Sequence, residues 1–259
     1  MTVESPLADR YWTPRRAQAF NEAVQISDFP AQACKALEPV LARCRSVLDV
    51  GAGVGALTIA LAQAAERVTA LEPSPAMMAG LRENLARLRL DNVICVPAAW
   101  GEVELPPHDL ILLANVKPLF DDLRGFVAAA QPLARQAIAL VRNVGPGTEK
   151  FYYGELYPLL LGRPYPPRDD YLKTLTLLHS LDIHANVQII DYNFDQPFAD
   201  LPQAVEFWTD ELKLTDPGQE RRLAEFLQGR LRRVGDRLVA PMRRRSAVIW
   251  WQVSAREPK

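Results

Sequence analysis

Residues 47–55 read Val-Leu-Asp-Val-Gly-Ala-Gly-Val-Gly, and this stretch decides the fold class. Apart from Asp49, its first four residues have the apolar character of a buried β-strand. Three glycines follow at alternate positions, and residues 56–62 then have the composition and apolar spacing of a helix. Glycine tolerates positive φ and lets the backbone approach a ligand closely. A strand, a glycine turn and a helix in this order are typical of a nucleotide-binding turn.

A second predicted strand ends in a carboxylate about twenty residues after the glycine turn, the usual distance to an acid that binds a ribose. Residues 67–72 read Arg-Val-Thr-Ala-Leu-Glu, which predicts a strand ending at Glu72. Asp49 lies two residues before the first glycine, where a dinucleotide-binding strand normally has an apolar residue. A carboxylate at this point would repel a pyrophosphate and attract an ammonium group.

These paired motifs resemble those of the class I S-adenosylmethionine-dependent methyltransferases. Residues 47–55 are similar to the first motif of that family and residues 70–74 to the second, and the resemblance covers residues 45–142. It implies an α/β fold with a Rossmann-like, seven-stranded, mostly parallel sheet, helices on both faces and an antiparallel final strand. The implied cofactor is S-adenosyl-L-methionine. An NAD-dependent oxidoreductase stays open as an alternative, because Gly51, Gly53 and Ala56 also fit the dinucleotide fingerprint.

The resemblance also implies where the cofactor binds. Asp49 is expected to face the methionine ammonium, and Glu72 to accept both ribose hydroxyls. The alternative for Asp49 is a carboxylate that caps its own turn, and the alternative for Glu72 is a solvated strand end. Ala98 and Ala99 stand where the family often has an acid beside the adenine amine, so apolar and aromatic contacts are expected there instead. The predicted cofactor-binding set is Asp49, Gly51, Ala52, Gly53, Gly55, Glu72, Pro73, Met77, Ala99, Trp100 and Asn115.

The acceptor is less clearly indicated. Asn115 ends the fourth predicted strand, where the resemblance places the reacting methyl group. Amino-directed nucleic-acid methyltransferases have an Asn/Asp-Pro-Pro-aromatic run there, which Val116 and Lys117 interrupt in this chain. The chemistry requires a base only if the nucleophile arrives protonated. Candidates for a catalytic group are Asn115, His179 and Tyr152, and the aromatic residues expected to line a substrate pocket are Tyr11, Trp12, Tyr153, Tyr157 and Trp208.

Charge and composition bound the partners. The formal net charge of -1 over 259 residues argues against a strong overall field for polyanions. Nine arginines nevertheless fall between positions 221 and 245, and they are read either as a solvated helix face or as a surface for RNA. A small-molecule acceptor is therefore the leading hypothesis, with an RNA or protein methyltransferase as the alternative. The three cysteines and three histidines show no metal-ligand spacing, so no metal is expected.

Four segments are predicted along the chain. They are an N-terminal helical cap (1–44), a cofactor-binding core (45–143), a helical insertion (144–183) and C-terminal strands with a helical insertion that complete the sheet (184–259). Within them, helices are expected to begin at the cap-then-proline pairs Thr13-Pro14 and Ser74-Pro75. Further helices are expected over residues 119–130, 149–161 and 217–234, and a final strand over residues 247–253. Substrate choice is expected to reside in the insertions, because loops on a rigid scaffold carry specificity. The N-terminus has no signal-peptide pattern and no stretch is long and apolar enough for a bilayer, which favours a cytoplasmic location without a membrane partner. Nothing in the sequence indicates an oligomeric state.

Overall fold

A central seven-stranded sheet organises the protein. The computed structural model describes residues 11–145, 150–166 and 171–253. The strands are β1 (Ser46–Val50), β2 (Arg67–Leu71), β3 (Val93–Val96), β4 (His108–Ala114), β5 (Ala134–Asn143), β6 (Asn186–Asn193), β7 (Gln196–Phe198), β8 (Arg232–Val234), β9 (Arg237–Ala240) and β10 (Arg243–Gln252). The helices are α1 (Pro14–Gln25), α2 (Phe29–Leu41), α3 (Ala56–Ala64), α4 (Pro75–Leu88), α5 (Lys117–Asp121), α6 (Leu123–Ala130), α7 (Tyr153–Leu161), α8 (Tyr171–Ser180), α9 (Leu201–Leu212) and α10 (Pro217–Gln228).

The strand order is β3-β2-β1-β4-β5-β10-β6. Strands β1 to β5 pair in parallel, whereas β10 pairs antiparallel with both β5 and β6. The predicted fold class is thereby confirmed, including the antiparallel strand near the end of the chain. Every residue of β1 is buried, as expected for a central parallel strand covered on both faces.

Each face of the sheet has its own apolar layer. Val47 and Leu112 point to the face covered by α2 and α3, where Leu37 and Leu61 are fully buried. The alternate residues of the same strands point to the opposite face and pack with α6 and α8. Two helices start at the predicted cap-then-proline pairs. Thr13 and Ser74 accept the backbone N–H groups of the residues three positions further on.

A third apolar cluster forms a smaller layer outside the sheet, which we call the lid. It joins α7 to α9, α10 and a three-stranded antiparallel sheet of order β7-β9-β8. Trp208 lies at its centre with no exposed surface, and its indole N–H donates to the Phe151 carbonyl at 2.9 Å. The predicted insertion at 144–183 is therefore divided between two layers, because its first helix belongs to the lid and α8 packs on the main sheet.

The structure corrects three predicted elements. The helix expected over residues 119–130 is two helices, and Asp122 caps the second by accepting the Gly125 N–H. The helix expected over residues 217–234 ends at Gln228, and β8 follows. The helix expected from Glu149, which lies outside the described residues, begins only at Tyr153. Phe151 and Tyr152 precede it with φ of 52° and 57°.

Candidate functional site

The glycine loop lies at the carboxyl ends of the parallel strands, between β1 and α3. The backbone N–H groups of Gly51 and Ala52 both donate to the Leu71 carbonyl, at 2.8 and 3.0 Å. Gly51, Gly53 and Gly55 have φ of 72°, 58° and 91°, a region that side chains with a Cβ rarely adopt. These hydrogen bonds connect the loop to the end of β2, so the two predicted motifs form one structural unit.

A side chain is disfavoured at Gly51 and Gly55 both by the positive φ and by lack of space, whereas at Gly53 the positive φ alone disfavours it. A Cβ on Gly51 would lie 2.3 Å from Val116 Cγ2, and one on Gly55 would lie 2.5 Å from Leu81 Cδ1. A Cβ on Gly53 would meet no atom within 4 Å. The space expected for a ligand above Gly51 is thus partly filled by Val116, whereas the space above Gly53 is open.

Glu72 connects the loop to the second motif. It is 6% exposed, and its Oε2 accepts the Gly53 N–H at 2.8 Å while its Oε1 accepts the Ser74 N–H at 2.8 Å. Burial raises the pKa of Glu72, and the two backbone hydrogen bonds oppose that rise. The carboxylate therefore fixes the conformation of the loop, a role that its sequence position did not indicate. Its expected contact with ribose hydroxyls stays a prediction.

Asp49 is almost completely inside the protein, at 2% exposure. Its Oδ2 accepts a hydrogen bond from the Thr58 hydroxyl on α3 at 2.6 Å. Burial raises the pKa of Asp49 to about 6, although the Thr58 hydrogen bond favours the ionised form. Because burial disfavours the ionised form of Asp49, a ligand cation beside it would stabilise that form. Thr58 was not predicted, and its only signal was a hydroxyl within an otherwise apolar helix turn.

The expected adenine side of the site contains an acid, Glu102, that was not among the predicted site residues. Glu102 Oε2 accepts the Ala99 N–H at 2.7 Å, so a carboxylate reaches the turn after β3 from three residues away. The Trp100 ring packs on Phe126 with 5.0 Å between centroids. Met77 is 2% exposed within the apolar core. Pro73 lies in the turn between Glu72 and α4.

The three candidate catalytic residues are not brought together. Asn115 directly follows β4 with φ of 57° and is exposed, next to the Val116 side chain that covers Gly51. His179 lies in the last turn of α8, near the start of β6 and hence at the opposite edge of the sheet from the glycine loop. Tyr152 donates its hydroxyl to the Pro241 carbonyl at 2.9 Å, and burial raises its pKa to about 12. Asn115 is therefore the only one of the three that the structure places near the loop with its side chain exposed.

Four of the predicted aromatic residues form two pairs of contacting rings, and the pairs lie near each other, because Tyr11 acts electrostatically on Tyr153. The rings of Tyr11 and Trp12 contact each other with 4.9 Å between centroids, and those of Tyr153 and Tyr157 with 5.6 Å. Trp208 is wrongly placed in the prediction, because it is fully buried in the lid core and has no surface to offer a substrate. Among the described residues there is no group of acids, histidines and cysteines that could hold a metal ion, and no helix long and apolar enough to cross a membrane.

Comparison with known proteins agrees with this geometry. A family model described as a methyltransferase domain matches residues 47–136. A candidate methyltransferase from Bacillus halodurans C-125 has a similar structure, with a TM-score of 0.55 and 16% identity, over 87% of this chain and 100% of that one. The precorrin-6y C5,15-methyltransferase of Geobacter metallireducens GS-15 aligns with a TM-score of 0.50 and 15% identity, over 86% and 87% of the two chains. At these identities the two structures show a shared fold.

A sequence relative extends beyond the matched domain. An uncharacterized protein of Haemophilus influenzae is 24% identical over 214 residues, which is 80% of this chain and 76% of that protein. The similarity includes segments outside the region that the family model matches, because that region is residues 47–136 alone.

Proposed function

We propose that this protein transfers a methyl group from S-adenosyl-L-methionine to a small-molecule acceptor. The proposal is supported by the match of residues 47–136 to a family model described as a methyltransferase domain and by the class I fold of the sheet. The observation that carries the proposal is the unit built by Asp49, the glycine loop and Glu72 at the carboxyl edge of the sheet. Ligands of open α/β sheets bind at this edge.

The residues present fit the cofactor. Open space above Gly53 and the backbone of the glycine loop leave room for an extended ligand along the ends of β1 and β2. Asp49 offers negative charge where the methionine ammonium would lie, and Glu72 has lone pairs beyond the two that accept backbone hydrogen bonds. When bound, S-adenosylmethionine supplies a methyl group already activated by its sulfonium. The protein then contributes chiefly proximity and alignment.

The sheet topology disfavours the dinucleotide alternative. In the dinucleotide-binding fold the strands follow the order 3-2-1-4-5-6 and are parallel. Here antiparallel β10 lies between β5 and β6. Asp49 adds to the argument, because it would lie beside a pyrophosphate in a low-dielectric site.

Four of the nine arginines between positions 221 and 245 are paired with acids or partly enclosed by aromatic rings in the structure. Arg230, Arg237 and Arg245 pair with Glu155, Glu22 and Asp191, respectively. Arg244 on β10 is half-buried among aromatic rings, with its Nε and Nη2 atoms closed to solvent. Neutralised and buried arginines contribute little to the salt-dependent contacts that dominate nucleic-acid binding. This arrangement favours a small-molecule acceptor over RNA.

The proposal is tested by measuring methyl transfer from labelled S-adenosylmethionine to three acceptor pools. These are a small-molecule extract, total RNA and denatured protein. Label in the extract that requires intact Glu72 would support the proposal. Transfer to RNA, with binding that weakens steeply as salt rises, would replace it with the nucleic-acid alternative.

A further inference from the structure

Arg244 occupies an unusual place at the ligand edge of the sheet. It is in the first part of antiparallel β10, opposite Tyr192 of β6, and Ser246 two residues later pairs with Asn143 at the end of β5. The start of β10 therefore lies at the carboxyl edge of the parallel strands. It is two strands from β4, about 10 Å across the sheet at the usual strand spacing. Arg244 also lies four residues beyond Val248, the β10 residue level with Ala114, which adds about 13 Å along the strand.

Aromatic rings lie against the Arg244 guanidinium. Its Cζ lies 4.1 Å from the Phe194 ring centroid and 5.3 Å from that of Phe151. Among the described residues, the ionisable groups that act on its charge are tyrosines and include no carboxylate. These groups are Tyr192 of β6, Tyr153 of the lid and Tyr11, which precedes α1. Burial lowers the pKa of Arg244, yet arginine stays charged in proteins. The result is a cation at the junction of three layers.

Two of its donors are buried without a partner. Both Nε and Nη2 of Arg244 are closed to solvent, and neither donates a hydrogen bond to an acceptor in the described part of the chain. These two N–H groups lie on one side of the guanidinium and form a fork that matches the two oxygens of a carboxylate. Buried donors are nearly always satisfied, and those that are not point to a ligand or another functional requirement.

Two surface arginines show what this fork binds. Arg45 holds Glu66 through its Nε and Nη2 at 2.7 and 2.8 Å. Arg245, the next residue along β10, holds Asp191 through the same two atoms at 2.7 and 3.0 Å. Arg244 has the corresponding pair of donors but faces aromatic rings instead of an acid.

We propose that the Nε and Nη2 fork of Arg244 binds an oxyanion of the methyl acceptor, either a carboxylate or a phosphate monoester. This assignment of the substrate class rests on the proposed function. The accepting atom would lie near the end of β4, and the anionic group would lie beside the Arg244 guanidinium, two strands further across the sheet. The surrounding rings suit an acceptor whose remaining surface is apolar or aromatic.

Access to the fork requires a local movement, because both donors are closed to solvent. Phe151 contributes one of the covering rings, and it is followed by Tyr152, both with positive φ. Bulky residues rarely hold this conformation, and it concentrates at sites that change on ligand binding. We therefore expect the Phe151 ring to move away from Arg244 when the anion enters.

The competing explanation is that Arg244 only joins the lid to the sheet through its contacts with Phe151 and Phe194. The test is a calorimetric titration of the full chain, saturated with S-adenosylhomocysteine, with phenyl phosphate, benzoate or neutral benzyl alcohol. The arginine Nε–H resonances are followed in parallel by NMR, and that of Arg244 is assigned by its loss in Arg244→Lys. Arg243→Gln is the matched control, because this exposed neighbour on the same strand loses the same charge.

At least one anion is expected to bind ten-fold or more tightly than benzyl alcohol and to shift the Arg244 Nε–H resonance. Arg244→Gln should weaken that binding at least ten-fold, with Arg243→Gln and the S-adenosylhomocysteine affinity unchanged. Preference for phenyl phosphate or benzoate would identify the oxyanion. Equal binding of all three probes, or an unmoved Nε–H resonance, would refute the assignment.

Two further outcomes are distinguishable. If Arg244→Gln does not fold, the wild-type resonance shift and the reduced anion affinity of Arg244→Lys decide, because lysine keeps the charge but lacks the fork. If S-adenosylhomocysteine does not bind, the titration is repeated without it. Anion binding that depends on Arg244 would then stand while the proposed function fails.

Discussion

Glu72 accepts the Gly53 N–H at 2.8 Å, and through this bond the end of β2 determines the conformation of the loop after β1. The other carboxylate oxygen accepts the Ser74 N–H at the start of α4. One buried side chain therefore supports both motifs of the candidate site. Loss of its charge should affect the cofactor more than the fold, because the strands on either side are held by their own ladders.

Replacing Glu72 by Gln should weaken binding of S-adenosylhomocysteine roughly 10- to 100-fold, which is about 1.4–2.8 kcal/mol. The amide nitrogen cannot accept a backbone N–H, so one of the two loop contacts is lost. Calorimetric titration measures the change. Glu66→Gln, an exposed acid at the opposite edge of the sheet, should leave the affinity within a factor of two. Equal affinities in the two variants would remove Glu72 from the site.

The raised pKa of Asp49 makes a prediction about stability and pH. Its folded pKa of about 6 exceeds the unfolded value near 3.9, so the folded state holds the proton more tightly between these values. The contribution to stability is present below about pH 4 and is lost as pH rises through 6. Asp49→Asn should therefore stabilise the ligand-free protein at pH 7.5 by roughly 1–3 kcal/mol, with little change at pH 4.

Urea unfolding at the two pH values measures this difference. Asp91→Asn, which changes an exposed carboxylate in the same way, should produce no such difference. A loss of stability in Asp49→Asn at pH 7.5 would contradict the account, because it would mean that the ionised carboxylate is favourable in the folded, ligand-free protein.

Asp49 should also couple cofactor binding to pH. If its carboxylate faces the ligand ammonium, binding favours the ionised form and releases a proton below about pH 6. The affinity for S-adenosylhomocysteine should then rise between pH 5 and 7, and the rise should disappear in Asp49→Asn. Calorimetry in buffers of different ionisation enthalpy counts the protons. The same pH dependence in both proteins would place the titrating group elsewhere.

Gly51 and Gly53 should respond differently to alanine. Both have positive φ, so each substitution costs about 1 kcal/mol of backbone strain. At Gly51 the new methyl group would also collide with Val116, which raises the expected loss to roughly 2–4 kcal/mol. Urea unfolding should show the larger loss for Gly51→Ala, and Val116→Ala should recover the difference between the two. Identical losses, or no recovery, would mean that Val116 does not lie over Gly51.

Trp208→Phe should loosen the lid without disturbing the main sheet. The substitution leaves the buried Phe151 carbonyl without its donor, at a cost of roughly 1–3 kcal/mol. Hydrogen exchange should quicken in α7 and α9 and stay unchanged in β1 and β4. Trp250→Phe on the main sheet is the control, and it should leave exchange in the lid unaltered. Faster exchange throughout the molecule would show that lid and sheet unfold as one unit.

The sequence was informative where one local pattern carries the structure. The apolar strand before Gly51 and the acid at the end of the next strand were sufficient to predict the sheet, and they indicate the edge at which a ligand is expected. The small sheet of the lid escaped prediction, because β8 and β9 have three and four residues, too few for a period-two pattern. Trp208 was assigned to a pocket because the sequence does not distinguish an aromatic residue in a core from one in a binding site.

Arg244 shows the limit most clearly. From the sequence, the nine arginines between positions 221 and 245 indicate a solvated helix face or a surface for RNA, and the final strand is predicted to begin only at Ala247. Extension of β10 back to Arg243 places Arg244 on the inward face and leaves its neighbours exposed. The two rings against it are Phe194, just after β6, and Phe151 of the lid, so only tertiary structure brings them together.

The most direct test of the central claim is calorimetric titration of the purified protein with S-adenosylhomocysteine, with NADH in a parallel cell. The account predicts micromolar or tighter binding of S-adenosylhomocysteine, loss of that affinity in Glu72→Gln, and no heat of binding from NADH. Binding of NADH without binding of S-adenosylhomocysteine would contradict it and make the dinucleotide alternative primary.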